Sequence, residues 1–275
     1  MMAKTTTLRI VWYIIIGIVI LWSLFPILWT FLTSIKQPVD AFAFPPRWLF
    51  KPTFSAYQTL WVEREFTVYL KNSAICAVST MIISVSIGAL AAYAISRYRS
   101  WVSFMFLVLF LVLRMFPRPL LVIPYYTIAH KFGLRDNLFF LTLCMVAINQ
   151  PFTIWLLRGF YTGIPVSLEE AALIDGCSRF KAFVRIIVPA MRPGIITASI
   201  FSLLLAYNEF MVPLVLTGTH ARTLSVAISE YGAEHLKYWT LSAAGAISIA
   251  FPILLAALFA QRYLVKGLTF GAVKY

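Results

Sequence analysis

The sequence predicts an all-α membrane protein with six transmembrane helices. Of its 275 residues, 61% are apolar or aromatic and only 12% are charged, whereas ordinary soluble domains have roughly 45–50% apolar and roughly 25% charged residues. A soluble domain of this length could not cover so much apolar surface with polar groups. The composition therefore excludes a soluble enzyme and a disordered chain, and it favours a protein that crosses the membrane several times.

Six segments are long and apolar enough to cross a bilayer, which takes about 20 residues in a helix. Helices are expected because a chain in lipid must satisfy its own backbone hydrogen bonds. The formal net charge of +13 is better explained by basic residues that flank the spans than by nucleic-acid binding. These basic residues are divided almost evenly between the two sides and favour cytoplasmic termini only weakly. The predicted spans are 10–32, 71–95, 101–122, 137–158, 193–213 and 239–261.

The second span carries a seam of small residues. Ser84, Gly88, Ala92 and Ser96 recur at every fourth position, so another backbone can approach this helix face closely. Packing within the chain and contact with a partner subunit explain the seam equally well.

A short charged helix is predicted between the fourth and fifth spans. Ser167 and Glu170 have the spacing of a capping box, in which the hydroxyl caps the first turn and the carboxylate reaches back to the start of the helix. Gly176 can end the helix in a left-handed conformation. From these residues alone, an ordinary helix lying on the membrane surface explains the segment somewhat better than a functional element does.

The order of residues in this segment resembles a known family. Glu170-Ala171-Ala172, then Gly176, then Ile186-x-Val188-Pro189 is similar to the cytoplasmic signature loop of permease subunits of ATP-binding-cassette (ABC) importers, which usually have Leu where this chain has Val188. The resemblance extends over nearly the whole chain and is closest to the shorter permease of the maltose-type carbohydrate-uptake branch. Its other parts are the proline-rich first external loop, Ile123-Pro124-Tyr125-Tyr126, Phe132-Gly133-Leu134 and the tail from Gly267-Leu268-Thr269 to Val273-Lys274.

The resemblance implies a type I ABC importer permease fold in which 1–275 form a single transmembrane domain with both termini in the cytoplasm. It implies that 159–192 form a cytoplasmic coupling loop that docks onto an ATPase subunit. Glu169 and Asp175 are expected to pair with basic groups of that subunit, and the small face of Ala171 and Ala172 is expected to enter its cleft. The implied coupling residues are Glu169, Glu170, Ala171, Ala172, Asp175 and Gly176.

The implied partners are a second permease, a dimer of ATPase subunits, an extracytoplasmic solute-binding protein, membrane lipid and a carbohydrate. The implied location of the chain is the cytoplasmic (inner) membrane of a bacterium or archaeon. The sequence contains no GxxxxGK[ST] phosphate-binding loop, so ATP and Mg²⁺ are expected on the partner ATPase, and this chain is expected to bind no cofactor and to be no enzyme.

Polar side chains inside spans are costly and often functional. Asn149 and Gln150 precede Pro151 in the fourth span, and Asn208 and Glu209 lie toward the outer end of the fifth. Amides both donate and accept hydrogen bonds, which suits a sugar. These four residues are the predicted substrate pathway. For the two amides of the fourth span, hydrogen bonding between helices is the stronger alternative, and Glu209 could instead lie at the membrane interface.

The resemblance also implies that an external loop before the last span enters the sugar cleft of the binding protein. The matching stretch is Thr217–Arg222, with Gly218, Thr219 and His220 as its contact residues. Most short polar loops look like this one, so the sequence itself adds little.

Two other classes of protein remain as alternatives. A secondary transporter driven by an ion gradient would show internal repeats and buried acids, but no repeat is seen and Glu209 is the one plausible buried acid. A membrane-embedded enzyme would need clustered acids or metal ligands. No such cluster is seen, and Cys76, Cys144 and Cys177 show no metal-ligand spacing, so no metal site is predicted. The sequence does not identify the solute.

Overall fold

The computed structural model describes residues 2–98, 100–234 and 238–269, and the regular elements within these ranges are all helical. Two of them are short π-helical turns, Thr59–Glu63 and Phe183–Ile187. The α-helices are α1 (Met2–Ser34), α2 (Pro38–Ala41), α3 (Ser55–Gln58), α4 (Phe66–Arg97), α5 (Trp101–Met115), α6 (Arg118–Lys131), α7 (Leu138–Tyr161), α8 (Ser167–Ile174), α9 (Arg179–Ala182), α10 (Val188–Ala190), α11 (Arg192–Tyr207), α12 (Met211–Leu216), α13 (Leu224–Glu234) and α14 (Trp239–Thr269).

Three helices are individually long and apolar enough to cross a membrane. They are Val11–Ser34 within α1, the whole of α4 and the whole of α7. Two sharply bent helix pairs raise the number to five if each pair is one span. These pairs are Trp101–Met115 with Arg118–Lys131, bent by 93°, and Arg179–Ala190 with Arg192–Tyr207, bent by 77°. A shorter apolar stretch, Trp239–Leu255, lies in α14.

Two predicted spans are interrupted. The helix predicted over 101–122 ends at Met115, because Pro117 has no N–H to donate and disfavours a helical conformation in the residue before it. The helix predicted over 193–213 ends at Tyr207, and a new short helix, α12, begins at Met211 with Pro213 in its first turn.

The chain divides into two compact units. The first contains Met1–Thr67 and Ala227–Pro252. Within it, the buried Lys36 lies over the rings of Trp29 and Phe50, at 4.8 and 5.0 Å from their centroids. Much of α1 in this unit is exposed, with Trp22 82% accessible. Such a continuous apolar helix surface is suited to lipid or to a partner helix.

The second unit contains Val68–Val226 and Ile253–Tyr275, and α7 lies at its centre. One core joins α4, α7, α11 and the Phe183–Ile187 turn around the fully buried Leu157 and Tyr161. The other core joins α4, α6, α7 and α12 around Leu141 and Met145.

The small-residue seam of α4 packs within the chain. Ser84 and Ala92 are fully buried, and a Cβ on Gly88 would lie 2.9 Å from the Thr153 methyl group of α7. Of the two explanations for the seam, the structure supports packing of α4 on α7.

Candidate coupling and transport sites

The predicted short helix between the fourth and fifth spans is α8, and it ends as the sequence predicts. Gly176 has φ +82°, the left-handed conformation that glycine adopts without a steric cost. The Gly176 N–H donates to the Leu173 carbonyl at 3.1 Å, and the Cys177 N–H donates to the Ala172 carbonyl at 3.0 Å. These two bonds are a Schellman motif, which satisfies carbonyls that the end of the helix leaves open.

The predicted capping box does not form. Val166 already has helical torsion angles, and no side chain caps the helix there. Ser167 is therefore the first residue inside the helix and not its N-cap, and its hydroxyl is not placed to accept the N–H groups that an N-cap accepts. The first turn is closed instead by backbone bonds from Glu169 and Glu170 to the Val166 carbonyl, at 2.9 and 3.1 Å.

Glu169 attaches α8 to the end of α4. Its side chain accepts hydrogen bonds from Arg97 Nε at 2.5 Å and from Tyr93 Oη at 2.9 Å. Arg97 also donates to the Ile164 carbonyl from both terminal nitrogens, at 3.3 Å. The charges are largely shielded from solvent, since the Arg97 and Glu169 side chains are 12% and 11% exposed. Helices α4 and α8 are thereby joined through a paired charge.

Two sequence-based expectations for α8 are corrected by this arrangement. Glu169 faces its own chain and is already paired with Arg97, so its carboxylate is not available to basic groups of another subunit. Ala172 is 2% exposed and packs inward, so the small face expected to enter a partner's cleft is not formed by Ala171 and Ala172 together. The helical repeat puts positions 169, 172 and 173 on a different side from position 171.

The outward face of α8 and the turn after it is apolar with an acidic edge. Ile174 is 86% exposed and Phe180 is 70% exposed. Glu170, Ala171 and Asp175 are exposed beside them. Large exposed apolar side chains next to charges are typical of a surface that contacts another protein.

Asn149 and Gln150 of α7 bind neighbouring helices. The buried Asn149 donates from Nδ2 to the carbonyl and hydroxyl oxygens of Ser202 in α11, at 3.1 and 3.2 Å. Gln150 donates to the Ser84 carbonyl of α4 at 3.3 Å, whereas its Oε1 has no hydrogen-bond partner among the described residues. The two amides therefore tie α7 to its neighbours, and Gln150 keeps one acceptor unused.

Glu209 pairs with the start of α6. Its carboxylate accepts from Arg118 Nη1 at 2.8 Å, and its carbonyl accepts from the Ser225 hydroxyl at 3.0 Å. Asn208 is exposed and donates to the Leu204 carbonyl one turn earlier. Among the described residues, no hydrogen bond or ion pair joins Asn208 and Glu209 to Asn149 and Gln150.

The 217–222 loop is organised around one carboxylate that the sequence analysis did not select. Asp136 accepts backbone N–H groups from Gly218 at 2.8 Å, Ala221 at 2.8 Å and His220 at 2.9 Å. Asn72 adds bonds from Nδ2 to two carbonyls of the same loop. Thr219 and His220 remain exposed at the tip. The loop is therefore held in one backbone conformation that presents its tip to solvent.

Hydrogen bonding also favours the ionised form of the Asp136 carboxyl group. Burial raises the pKa of its carboxyl, but the N–H groups of His220, Ala221 and Gly218 lower it by more, so the net pKa lies below the ordinary value of 3.8. The carboxylate is ionised at neutral pH. Gly218 is required at its position, because a Cβ there would lie 2.9 Å from the Asp136 Oδ2 atom.

The partners that the sequence analysis missed are mostly far away in the chain. Arg97 lies 72 residues from Glu169, Arg118 lies 91 residues from Glu209, and Asp136 lies 82 residues from Gly218. The one local signal is that Asp136 follows a left-handed glycine turn, Gly133 at φ +65°.

Of the predicted tail, Gly267–Thr269 end α14, and 270–275 lie outside the described residues. The described residues contain no group of three His, Cys, Asp or Glu side chains that could hold a metal ion.

Comparison with known proteins gives the class. Residues 84–270 match the family of binding-protein-dependent transport system inner membrane components. The chain is 36% identical to the trehalose transport system permease protein of Mycobacterium tuberculosis, over 96% of this chain and 97% of that protein. It is 34% identical to the trehalose/maltose transport system permease protein of Thermococcus litoralis, over 91% of both. Its fold is similar to a chain of a solved bacterial ABC transporter involved in alginate import, with a TM-score of 0.77 at 22% identity over 94% of this chain and 97% of that chain.

The chain therefore belongs to the family of membrane components of binding-protein-dependent transport systems. Within that family it is a permease subunit of an ABC transporter and not an enzyme. The helices long and apolar enough to cross a membrane agree with this membership.

Proposed function

We propose that the chain is one of two permease subunits of an ATP-driven importer for a sugar or a related polyol. The assignment of the solute to the sugars is based on relatives of the chain. These relatives are named as permeases for trehalose, for trehalose/maltose and for diacetylchitobiose. The proposed assembly adds a second permease, two ATPase subunits that bind ATP and Mg²⁺, and an extracytoplasmic binding protein. The chain itself binds no cofactor.

The proposed topology has six spans, with both termini in the cytoplasm of a bacterium or archaeon. The third span then contains α5, the fifth contains α11, and the sixth is the apolar part of α14. In this orientation 159–192 lie in the cytoplasm and the 217–222 loop lies outside. The different surfaces of the two segments support these proposed locations. The 159–192 segment exposes apolar side chains next to acids, and the 217–222 loop exposes a polar tip.

The observation that carries the coupling proposal is the 86% exposed Ile174 on a helix fixed to α4 by the Arg97–Glu169 pair. Ile174 and Phe180 form the contact with the ATPase, and Glu170 and Asp175 supply charges at its edge. Movement of the ATPase would reach α4 through Glu169, because the ion pair and the Schellman end make α8 a short rigid body.

In the proposed pathway, Asn149 holds α7 against α11 and does not itself meet the solute. Gln150 offers its unused Oε1, and Asn208 and Glu209 offer polar atoms near the outer end of α11. Outside the membrane, Gly218 permits the close approach to Asp136, and Thr219 and His220 contact the binding protein.

The variant Ile174→Asp tests the coupling surface. A carboxylate in an apolar contact is costly, so the ATPase should no longer co-purify with the permease in detergent, while the permease stays folded because residue 174 is exposed. Gln58→Asp is the matched control, since it also adds one carboxylate at an exposed position, but on the proposed outer side. Equal retention of the ATPase by both variants would remove Ile174 from the contact.

A further inference from the structure

A groove with a volume of about 1330 Å³ lies beside α8. It is bounded by the ends of α4 and α7, by the start of α5 and by the segment that leads into α8. Its lining combines charged and apolar side chains. The charged residues are Arg97, Arg158, Arg179, Glu169 and Glu170, and the apolar residues include Leu90, Phe104 and Leu107.

Arg158 is the arginine of this groove whose guanidinium has no partner among the described residues. It is half-buried, its Nε is shielded from solvent, and its guanidinium makes no hydrogen bond or ion pair within the part of the chain that the structure describes. The other two arginines are engaged, since Arg97 pairs with Glu169 and Arg179 donates to Tyr98 Oη at 2.9 Å. A half-buried guanidinium without a counter-charge is costly, so the groove is suited to an anion supplied from outside this chain.

The position of the groove indicates the kind of anion. In the proposed topology, Arg97 ends the second span, Trp101 begins the third and Arg158 ends the fourth, all at the cytoplasmic surface. Arginine and tryptophan at this level are typical of the membrane interface, where lipid headgroups lie. The apolar lining residues Phe104 and Leu107 follow Trp101 along α5, which in this topology leads toward the membrane core. An anion attached to acyl chains satisfies both kinds of lining residue, whereas a protein carboxylate or a free anion would leave the apolar residues uncovered.

We propose that this groove binds an anionic phospholipid of the cytoplasmic leaflet. Arg158 donates to the headgroup phosphate, and Phe104 and Leu107 contact an acyl chain. The site rests on the proposed function for its location at the inner leaflet. Because Glu169 and Leu173 of α8 form part of the same groove, bound lipid also supports the attachment of the coupling helix to the spans.

The test is native mass spectrometry of the complete complex released from nanodiscs that contain phosphatidylcholine with or without phosphatidylglycerol. The wild-type complex should retain phosphatidylglycerol, and Arg158→Gln should lower that retention about tenfold, as expected for the loss of one charge-assisted hydrogen bond. Arg158→Lys, which keeps the charge, should restore part of it. Arg192→Gln is the matched control, because Arg192 is exposed at the start of the fifth span and lies outside the groove, and it should retain lipid like the wild type.

Three results would overturn the lipid site. The first is equal phosphatidylglycerol retention by the wild type and Arg158→Gln. The second is displacement of the lipid by millimolar inorganic phosphate, which would make the site one for a free anion. The third is loss of the ATPase from Arg158→Gln with lipid retained, which would pair Arg158 with that subunit. The proposed function is tested separately, by assembly of the complex and by its solute-stimulated ATP hydrolysis. A complex that does both but retains no lipid would contradict only the lipid site.

Discussion

Asp136 fixes the conformation of the 217–222 loop through three backbone N–H groups. In Asp136→Asn the side-chain NH₂ cannot accept, so some of these N–H groups lose their partner. We expect the free energy of unfolding to fall by about 1–3 kcal/mol, the usual cost of unsatisfied buried donors. Binding-protein stimulation of ATP hydrolysis should also fall, whereas basal hydrolysis should not change, since the proposed topology puts the loop and α8 on opposite sides of the membrane.

Glu65→Gln is the control for Asp136→Asn, because Glu65 is exposed and lies in the proposed outer region. The pH dependence gives a second check. Since the pKa of Asp136 is lowered in the folded protein, its contribution is present above the ordinary carboxyl pKa and is lost as pH falls through the folded value. Stimulation limited by this loop should therefore be constant from about pH 5 to 8. A midpoint inside that range that disappears in Asp136→Asn would contradict the assignment.

Glu169 and Glu170 are neighbours with different environments, and together they make a matched pair of variants. Glu169→Gln leaves the shielded Arg97 without its counter-charge and should lower stability by on the order of 2 kcal/mol, less than a fully buried pair because both side chains keep some exposure. Glu170 is exposed, so Glu170→Gln should cost little. Thermal unfolding of the purified complex measures both, and equal shifts would mean that Glu169 does not anchor α8.

At the residue scale, the sequence indicated several of the polar residues but few of their contacts. Asn149 and Glu209 stood out because polar side chains inside spans are costly, and Glu169 stood out because it lies in the segment that resembles the signature loop of ABC permeases. Their partners Arg97, Ser202 and Arg118 could not be found, because each pair joins helices that are distant in sequence. The capping box was also wrong, because the helix starts one residue earlier than expected and Ser167 occupies an interior position.

At the scale of elements, α8 depends on its last residue. Gly176 has φ +82°, and no atom lies within 4 Å of the position that a Cβ would take. Backbone strain, and not crowding, therefore limits which residues can replace this glycine. Gly176→Val should cost about 1–2 kcal/mol locally and lower solute-stimulated ATP hydrolysis, because the Schellman end would loosen. Gly176→Asn should keep more stimulation, since asparagine tolerates the left-handed conformation better. Equal activity of both variants and the wild type would mean that this helix end plays no part in coupling.

Ala171 and Ala172 are neighbours on this helix, but a bulky substitution would act differently at each. Ala172→Trp would disrupt internal packing because Ala172 is buried, so a loss of activity would not report on docking. Ala171 is the exposed neighbour and is the position where a bulky residue would block a partner.

Helix positions were predictable from apolar runs, but helix breaks were not. The second predicted span lies within α4, and the fourth, apart from its first residue Asn137, lies within α7; a continuous apolar pattern favours both helices. The third and fifth predicted spans contain Pro117 and Pro213. Proline is tolerated in membrane helices when neighbours satisfy the freed backbone groups, as Pro151 within α7 illustrates. Whether a proline bends or ends a helix therefore depends on tertiary contacts that composition does not contain.

At the scale of the whole molecule, membership of the permease family was predictable because the signature segment and the apolar runs occur together in one chain. The solute was not predictable, because the polar residues of the spans largely bind each other: Asn149 binds Ser202, and Glu209 binds Arg118. The paired groups specify how helices pack, and they carry little information about what passes between them.

The most direct test of the whole account is uptake of labelled sugar by proteoliposomes. They would contain this chain, its second permease and its ATPase, with the binding protein outside and ATP inside. We expect uptake to require both ATP and the binding protein. Ile174→Asp should abolish this uptake, and Gln58→Asp should leave it unchanged. Uptake by this chain alone, driven by an ion gradient without ATP or the ATPase, would contradict this expectation.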